Sequence, residues 1–147
     1  MALKENKLFT PKEKSSFSYW FAHNRAYNKV AKEWGVWKFK YLFHDIEKPF
    51  LKLFLPYEKV RKWHRSHNRH HLSYPDKSRI DWTALAIDWE CSHYTKESQP
   101  MNCWTYAHYM MEKYPNEADL IKYNLIPILK AMGKTKPYNR DENKVGA

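Results

Sequence analysis

The strongest constraint on the fold is a helical repeat of large side chains between Phe17 and Gly35. Its members lie three or four residues apart, which is the spacing of one face of an α-helix. They are Trp20, His23, Tyr27, Val30 and Trp34. Gly35 follows the last member and is a typical residue at the end of a helix. Because the chain has only 3 glycines in 147 residues, an all-β fold with many tight turns is disfavoured, and we predict an all-α protein.

Five further segments are predicted as helices, and prolines mark several of their boundaries. They cover about residues 36–47, 56–71, 79–95, 102–114 and 116–132. Pro49 is expected to stop the second helix and Pro127 to kink the sixth. Ser78 and Asp81 predict a capping box at the start of the fourth. The pattern predicts a single compact bundle of five to six helices.

The two ends of the chain are polar and lack this helical spacing. Residues 1–16 are predicted to be a flexible basic lead-in, residues 17–133 the helical domain, and residues 134–147 a polar tail that frays. The sequence contains no internal repeat and no low-complexity tract. We therefore expect one domain, which also suits the length of the chain.

Targeting signals and cysteine usage indicate a cytoplasmic protein. The first residues, MALKENKL, lack the apolar segment of a secretory signal. No run of the sequence approaches the ~18 apolar residues of a membrane span. Cys91 and Cys103 do not have the spacing of a zinc finger or a redox motif, so we expect two reduced thiols. We predict no association with a membrane.

Positive charge is concentrated in the first half of the sequence. The net charge is +10, and residues 80–147 contribute −1, so the whole excess lies in residues 1–79. Such a region attracts a phosphorylated small molecule, a nucleotide or nucleic acid. A solvated basic surface that only aids solubility would explain the same charge.

Several potential metal ligands lie on helix faces that are predicted to be buried: His23, His44, Asp45, His67 and Asp88. His44 and Asp45 are adjacent, and intervals of 21 or 22 residues separate this pair from His23 and His67, and His67 from Asp88, which is the length of one helix and one turn. A bundle can therefore bring them to one point. Buried carboxylates and imidazoles are costly without partners. A divalent cation would turn the same residues into a favourable set of ligands.

Each of these residues also has a simpler explanation. His23 can be a hydrogen-bonded core histidine, and Asp88 can form a salt bridge with a basic helix. His64, His67, His70 and His71 lie among Arg61, Lys62, Arg65 and Arg69, as in a helix that contacts phosphates. His67 and His71 are four residues apart, and His64 precedes them by one turn, so all three are expected on one helix face.

The ordered set His23, His44-Asp45 and Asp88 resembles the HD-domain superfamily of metal-dependent phosphohydrolases. The segment HDIEK is similar to the His-Asp-Ile-Gly-Lys form of that superfamily, with Glu47 in place of the glycine. More narrowly, the segments HDIEKP, HRSHNRHH and AIDWE are similar to a small HD-like family of bacteria and phages. The resemblance covers residues 17–96 and implies an HD-domain-like bundle.

The resemblance also implies a divalent metal ion, which would be Mn, Mg, Zn, Fe, Co or Ni. Its ligands would be His23, His44, Asp45 and Asp88, and Asp45 could bridge to a second metal. The candidate histidines for the second metal are His67 and His71, or His64. In some members of the superfamily two such histidines come from separate segments, whereas here they come from one predicted helix.

The leading hypothesis is a metal-dependent phosphohydrolase that acts on a nucleotide or another small phosphate ester. Asp45 or Asp88 would orient the attacking water. Lys48 matches the lysine that faces the substrate phosphate in the superfamily. Arg65 or Arg69 would join it in offsetting the charge that develops on the phosphate.

A histidine of the third helix would protonate the leaving oxygen, because histidine titrates near neutral pH. The candidates are His64, His67 and His71. Two alternatives remain open at this point. One is an HD-fold di-iron oxygenase, since a histidine-rich site suits iron. The other is a non-catalytic module with a structural metal, whose basic stripe meets nucleic acid or a partner protein.

Overall fold

The computed structural model of the protein describes residues 8–72, 74 and 77–145. Their α-helices are α1 (Phe17–Glu33), α2 (Glu47–Lys52), α3 (Tyr57–His67), α4 (Arg79–Thr95), α5 (Cys103–Lys113), α6 (Pro115–Leu120), α7 (Ile126–Ala131) and α8 (Arg140–Val145). Two 3₁₀ turns cover Glu13–Ser15 and Phe39–Phe43, and a π turn covers Ile121–Leu125. Within the described ranges no strand forms beyond two isolated bridges, so the all-α prediction is confirmed.

The two longest helices, α1 and α4, pack side by side and form the centre of the fold. Tyr27 and Val30 of α1 meet Ile87 of α4 in one apolar cluster, and all three are almost completely buried. Gly35, with a φ of +71°, ends α1 as predicted. The predicted capping box of Ser78 and Asp81 starts α4.

A second apolar cluster joins α4 to the helices that follow it. It includes Leu85 of α4, Ala107 of α5 and Leu129 of α7. The single helix predicted over 116–132 is instead α6, the π turn and α7. Pro127 explains the interruption, because it lacks an N–H group and its ring clashes with the carbonyl four residues earlier. The wider π turn before Pro127 relieves that clash.

Both predicted tails contain residues that pack on the domain. Phe9 is buried, and its backbone hydrogen-bonds with Thr95 and Glu97 near the end of α4. Arg140, in the predicted polar tail, is 3% exposed and donates hydrogen bonds to the carbonyls of His93 and Lys96. These contacts bind residues from both ends of the chain to the C-terminal end of α4.

The prediction of a helix over residues 36–47 is wrong for most of that range. Residues 39–43 form a 3₁₀ turn, and a helix begins only at Glu47. Pro49 therefore does not stop a helix but lies in the first turn of α2, where a missing N–H group costs no helical hydrogen bond. His44 and Asp45 consequently lie in a turn between two short helices.

The third predicted helix is too long. Helix α3 ends at His67, because Asn68 adopts an extended conformation at its C-terminus. His70 and His71 therefore lie in the irregular segment after α3, and the predicted helical pairing of His67 with His71 does not form. In the part of the chain that the structure describes, no helix is long and apolar enough to cross a membrane.

Candidate metal centre

The contact between α1 and α4 places the first two predicted ligands together. His23 of α1 and Asp88 of α4 are 2% and 7% exposed. His23 Nε2 lies 2.9 Å from Asp88 Oδ1. The other ring nitrogen of His23, Nδ1, is 3.7 Å from the thiol of Cys91, which is buried and not in a disulfide. Nε2 is therefore the nitrogen that faces the centre of the site.

The turn after the 3₁₀ segment supplies the next two ligands. Asp45 has a φ of +57°, a left-handed conformation that short polar residues tolerate better than most. Along a helix, two adjacent side chains would point about 100° apart. The left-handed turn instead brings the side chains of His44 and Asp45 to one point. Such conformations are concentrated at functional sites.

Contacts with α1 fix the position of His44. Its ring stacks on Tyr27 with 3.7 Å between the ring centroids. Its carbonyl oxygen accepts hydrogen bonds from Trp20 Nε1 and Asn24 Nδ2, each 3.2 Å long. The apolar repeat of α1 thus positions a residue of the turn as well as its own His23.

The four side chains implied as ligands of the first metal converge. The ligand atoms of His23, His44, Asp45 and Asp88 all lie within 4.8 Å of one another, and all four residues are buried. His44 Nε2 is 3.2 Å from Asp88 Oδ1 and 3.4 Å from Asp45 Oδ2. We call these four residues the primary group. Their atoms can hold a divalent metal ion.

A second group of three histidines lies on the other side of Asp45. It consists of His64 from α3 and His70 and His71 from the segment after it, and their ligand atoms also lie within 4.8 Å of one another. Asp45 Oδ1 is 3.0 Å from His64 Nε2 and 3.4 Å from His70 Nε2. Asp45 therefore directs one carboxylate oxygen to each group.

Buried polar atoms at the second group also indicate a site for a cation. Asp45 Oδ1 and the Nε2 atoms of His64, His70 and His71 are buried, and none has hydrogen-bond geometry with a partner among the described residues. Polar atoms buried in this way are costly. A cation held by the three histidines and Asp45 would satisfy all four atoms.

Two residues predicted for the site lie elsewhere. His67 is exposed, stacks on Trp63 with 4.4 Å between ring centroids, and places Nδ1 2.8 Å from the Trp63 carbonyl. Arg69 donates from Nε to Asp81 Oδ2 over 3.0 Å, at the start of α4. The structure brings neither of them to the two groups. His70 takes the place predicted for His67.

Glu47 orients the second group, which the sequence did not reveal. Its Oε1 atom contacts His64 Nδ1 and accepts a hydrogen bond of 2.7 Å from Asn68 Nδ2. The opposite nitrogen of His64 is thereby turned toward Asp45. A carboxylate behind a histidine is a common way to orient a metal ligand. Glu47 thus acquires a structural role at the second group.

The protonation states of the cluster suit a cation. Burial opposes ionisation of Asp45 and Asp88, but nearby histidines outweigh it at both residues and hold the pKa of each carboxyl group well below the usual range. Lys48 adds to this effect at Asp45. Burial lowers the pKa of His23 to about 4 and that of His71 to about 2. Neutral imidazoles and ionised carboxylates are the forms that bind metal.

A cavity of about 70 Å³ adjoins both groups, and we call it the anion cavity. Of its described lining residues, two are aspartates, Asp45 and Asp88, and five are cationic. The cationic residues are Lys14, Lys48, Arg61, Arg65 and Lys96. Lys48 donates to Asp45 over 2.9 Å, and although burial opposes it, this contact raises the pKa of Lys48.

Lys14 shows the effect of crowded positive charge. Burial and, to a smaller extent, the neighbouring charges of Lys96, Arg61, Arg65 and Lys48 together lower its pKa to about 8. An anion among these side chains would relieve that repulsion. Lys14 and Lys96 were not predicted, because they lie far from the histidine motifs in sequence and on no recognisable pattern.

Replacing one ligand should remove the metal. We expect the wild-type protein to retain a divalent metal after gel filtration, and His44→Ala to lose most of it, because His44 faces both aspartates. His67→Ala, on a histidine outside the cluster, should keep the wild-type metal content. Inductively coupled plasma mass spectrometry measures the number of metal ions per protein chain. Equal metal content in the two variants would contradict the site.

Glu47→Gln tests the orientation of His64. The amide cannot supply the same negative charge behind the ring, so we expect the affinity for Zn²⁺ to fall about 10- to 100-fold. Competition with a chromophoric chelator measures this affinity. Glu58→Gln, an exposed residue near the start of α3, is the matched control and should bind as the wild type does. An unchanged affinity in Glu47→Gln would exclude the role of Glu47.

No protein-family model, curated protein or solved structure matches this chain. The case for a metal centre therefore depends on the side chains themselves. Its strongest part is the convergence of His23, His44, Asp45 and Asp88 from three separate segments.

Proposed function

We propose that this protein is a metal-dependent phosphohydrolase that acts on a nucleotide or another small phosphate ester. The observation that carries the proposal is the position of the buried His/Asp groups at a cavity lined by five cationic side chains. Metal ligands alone would suit many chemistries. The surrounding cations favour a substrate with several negative charges, and a phosphate ester has them at neutral pH.

The donor set fits divalent cations of the first transition row, because it combines imidazole nitrogens with carboxylate oxygens. Its residue order supports the resemblance to the HD-domain superfamily. A bound cation lowers the pKa of a coordinated water and polarises a phosphoryl oxygen. Asp45, with one oxygen directed to each group, is the residue suited to bridge two cations.

The cationic side chains bind and orient the phosphate. Lys48 is the nearest to the primary group, since its ammonium contacts Asp45. Arg65 and Arg61, from successive turns of α3, line the same cavity. Their fixed positive charges offset the negative charge that develops on the phosphoryl oxygens. In the overall reaction a water oxygen joins phosphorus, the ester P–O bond breaks, and the leaving oxygen takes a proton.

The acid role predicted for the histidines competes with metal binding. His64 contacts Asp45 and Glu47, and these contacts outweigh burial and raise its pKa. A protonated His64 would donate a proton, whereas a ligating His64 must be neutral. The Nε2 atoms of His64, His70 and His71 are buried close together, and two of them face Asp45 Oδ1, an arrangement that favours ligation. We therefore assign His64 to the second group.

Hydrolysis is tested with p-nitrophenyl phosphate and a panel of nucleotides, in the presence of Mn²⁺, Mg²⁺, Zn²⁺, Co²⁺, Ni²⁺ or Fe²⁺. Asp88→Asn should reduce kcat at least ~100-fold, because it removes a charged ligand of the primary group. Asp119→Asn, at an exposed residue of α6, should retain wild-type activity. Absence of hydrolysis with every metal and substrate would refute the proposal.

The affinity for phosphate should depend on Lys14. Its pKa of about 8 means that the side chain is charged below that pH and neutral above it. We expect KM for p-nitrophenyl phosphate to rise as the pH increases through about 8, because one cation of the cavity is lost. Lys14→Arg should abolish this rise, since a guanidinium stays charged. If the rise persists in Lys14→Arg, Lys14 does not bind the phosphate.

A di-iron oxygenase is the second candidate function. The five clustered histidines favour it, because imidazole suits iron and Asp45 lies between the two groups. The five cations of the anion cavity favour the hydrolase. Iron in the purified protein together with oxygen consumption would favour the oxygenase. Hydrolysis with Mn²⁺, Mg²⁺ or Zn²⁺ alone would exclude a need for oxygen chemistry.

A further inference from the structure

A second and larger cavity lies beside the anion cavity, and we call it the aromatic cleft. It has a volume of about 540 Å³ and is bordered by α4, α5 and the start of α6. This volume falls within the ~300–1,000 Å³ that is typical of small-molecule sites. Four aromatic residues line it, and the hydrolysis proposed above uses none of them. They are Trp89, Tyr106, Tyr109 and Tyr114.

The aromatic rings are held in place by packing against one another. Trp89 meets Tyr106 edge to face, with 4.8 Å between ring centroids. Tyr106 and Tyr109 stack at 5.9 Å with 24° between their planes. Tyr109 is 38% exposed, so part of its ring is available to a ligand. Such rings bind nucleobases by stacking.

The aromatic cleft adjoins the anion cavity, and the two share lining residues. Arg65 and His71 line both of them. Lys14 of the anion cavity donates a hydrogen bond of 3.0 Å to Ser98, which lines the aromatic cleft. A ligand whose phosphate lies near Lys14 and Arg65 would therefore extend its other end past His71 into the cleft.

Polar groups in the cleft determine which kind of ligand fits. Ser98, Lys113 and Glu117 supply both hydrogen-bond donors and acceptors. The Lys113 ammonium lies 5.4 Å from the centroid of Tyr109 and 5.3 Å from that of Tyr114. An aliphatic chain would bury these polar groups without partners. A base and a sugar offer planar faces, ring nitrogens and hydroxyl groups to match them.

We infer that the aromatic cleft binds the nucleoside part of a nucleoside phosphate whose phosphate lies in the anion cavity. The inference rests on the proposed phosphohydrolase function and names the group that the ester carries. In the reaction the water oxygen joins phosphorus and the bond from phosphorus to the sugar oxygen breaks. The products are inorganic phosphate and a nucleoside whose oxygen has gained a proton.

The test compares adenosine 5′-monophosphate with ribose 5-phosphate, which lacks the base, as substrates of the metal-loaded protein. We expect kcat/KM to be about tenfold higher for the nucleotide, because only the nucleotide stacks in the cleft. Tyr109→Leu should bring the ratio of the two values close to one. Tyr123→Leu, at a 67% exposed tyrosine outside the cleft, should keep the wild-type ratio.

The outcomes separate this inference from the proposed function. If both esters are hydrolysed with equal kcat/KM, or if Tyr109→Leu leaves the ratio unchanged, the cleft does not bind the base and the hydrolase proposal stands. If no ester is hydrolysed, isothermal titration calorimetry measures the affinity of the protein for the same two compounds. Tighter binding of the nucleotide that is lost only in Tyr109→Leu would support the cleft, and equal binding would overturn it.

Discussion

Two ionised carboxylates in the core, those of Asp45 and Asp88, are the constraint on which the rest of the structure depends. They are 4% and 7% exposed, and a buried carboxylate without a partner is strongly destabilising. Lys48 provides one full positive charge, to Asp45. Since burial keeps the pKa of His23 at about 4, its ring is neutral at pH 7 and adds none. A divalent cation would coordinate both carboxylates directly, and the packing of α1 against α4 provides the place for it.

The sequence was most informative where a ligand lies on a long helix. His23 and Asp88 belong to α1 and α4, whose repeats and capping residues define them almost to the residue. Helix α1 buries mainly one face, so the direction of His23 follows from helical spacing. Helix α4 is buried on nearly all sides, so Asp88 is buried whichever way it faces. The all-α class, the end of α1 at Gly35 and the meeting of His23 with Asp88 were predictable for this reason.

The sequence was least informative where a ligand lies in a turn. Helical spacing gives no indication that Asp45 adopts a positive φ, or that α3 ends at His67 rather than His71. Because α3 ends early, His70 lies next to Asp45 and His67 is exposed. The structure therefore has His70 at the position that the sequence predicted for His67. Lys14 reaches the anion cavity through tertiary packing alone, which no local pattern encodes.

The ligands on long helices and the ligands in the irregular segment after α3 are held in place in different ways. His23 and Asp88 are fixed by the apolar contacts of α1 and α4, which do not depend on a metal. His70 and His71 lie in an irregular segment, and His71 also borders the aromatic cleft. A cation bound at the second group would hold that segment against Asp45, because it binds only the assembled arrangement. The same cation would thereby fix the wall that the anion cavity and the aromatic cleft share, so metal binding and recognition of the nucleoside would be coupled through His71.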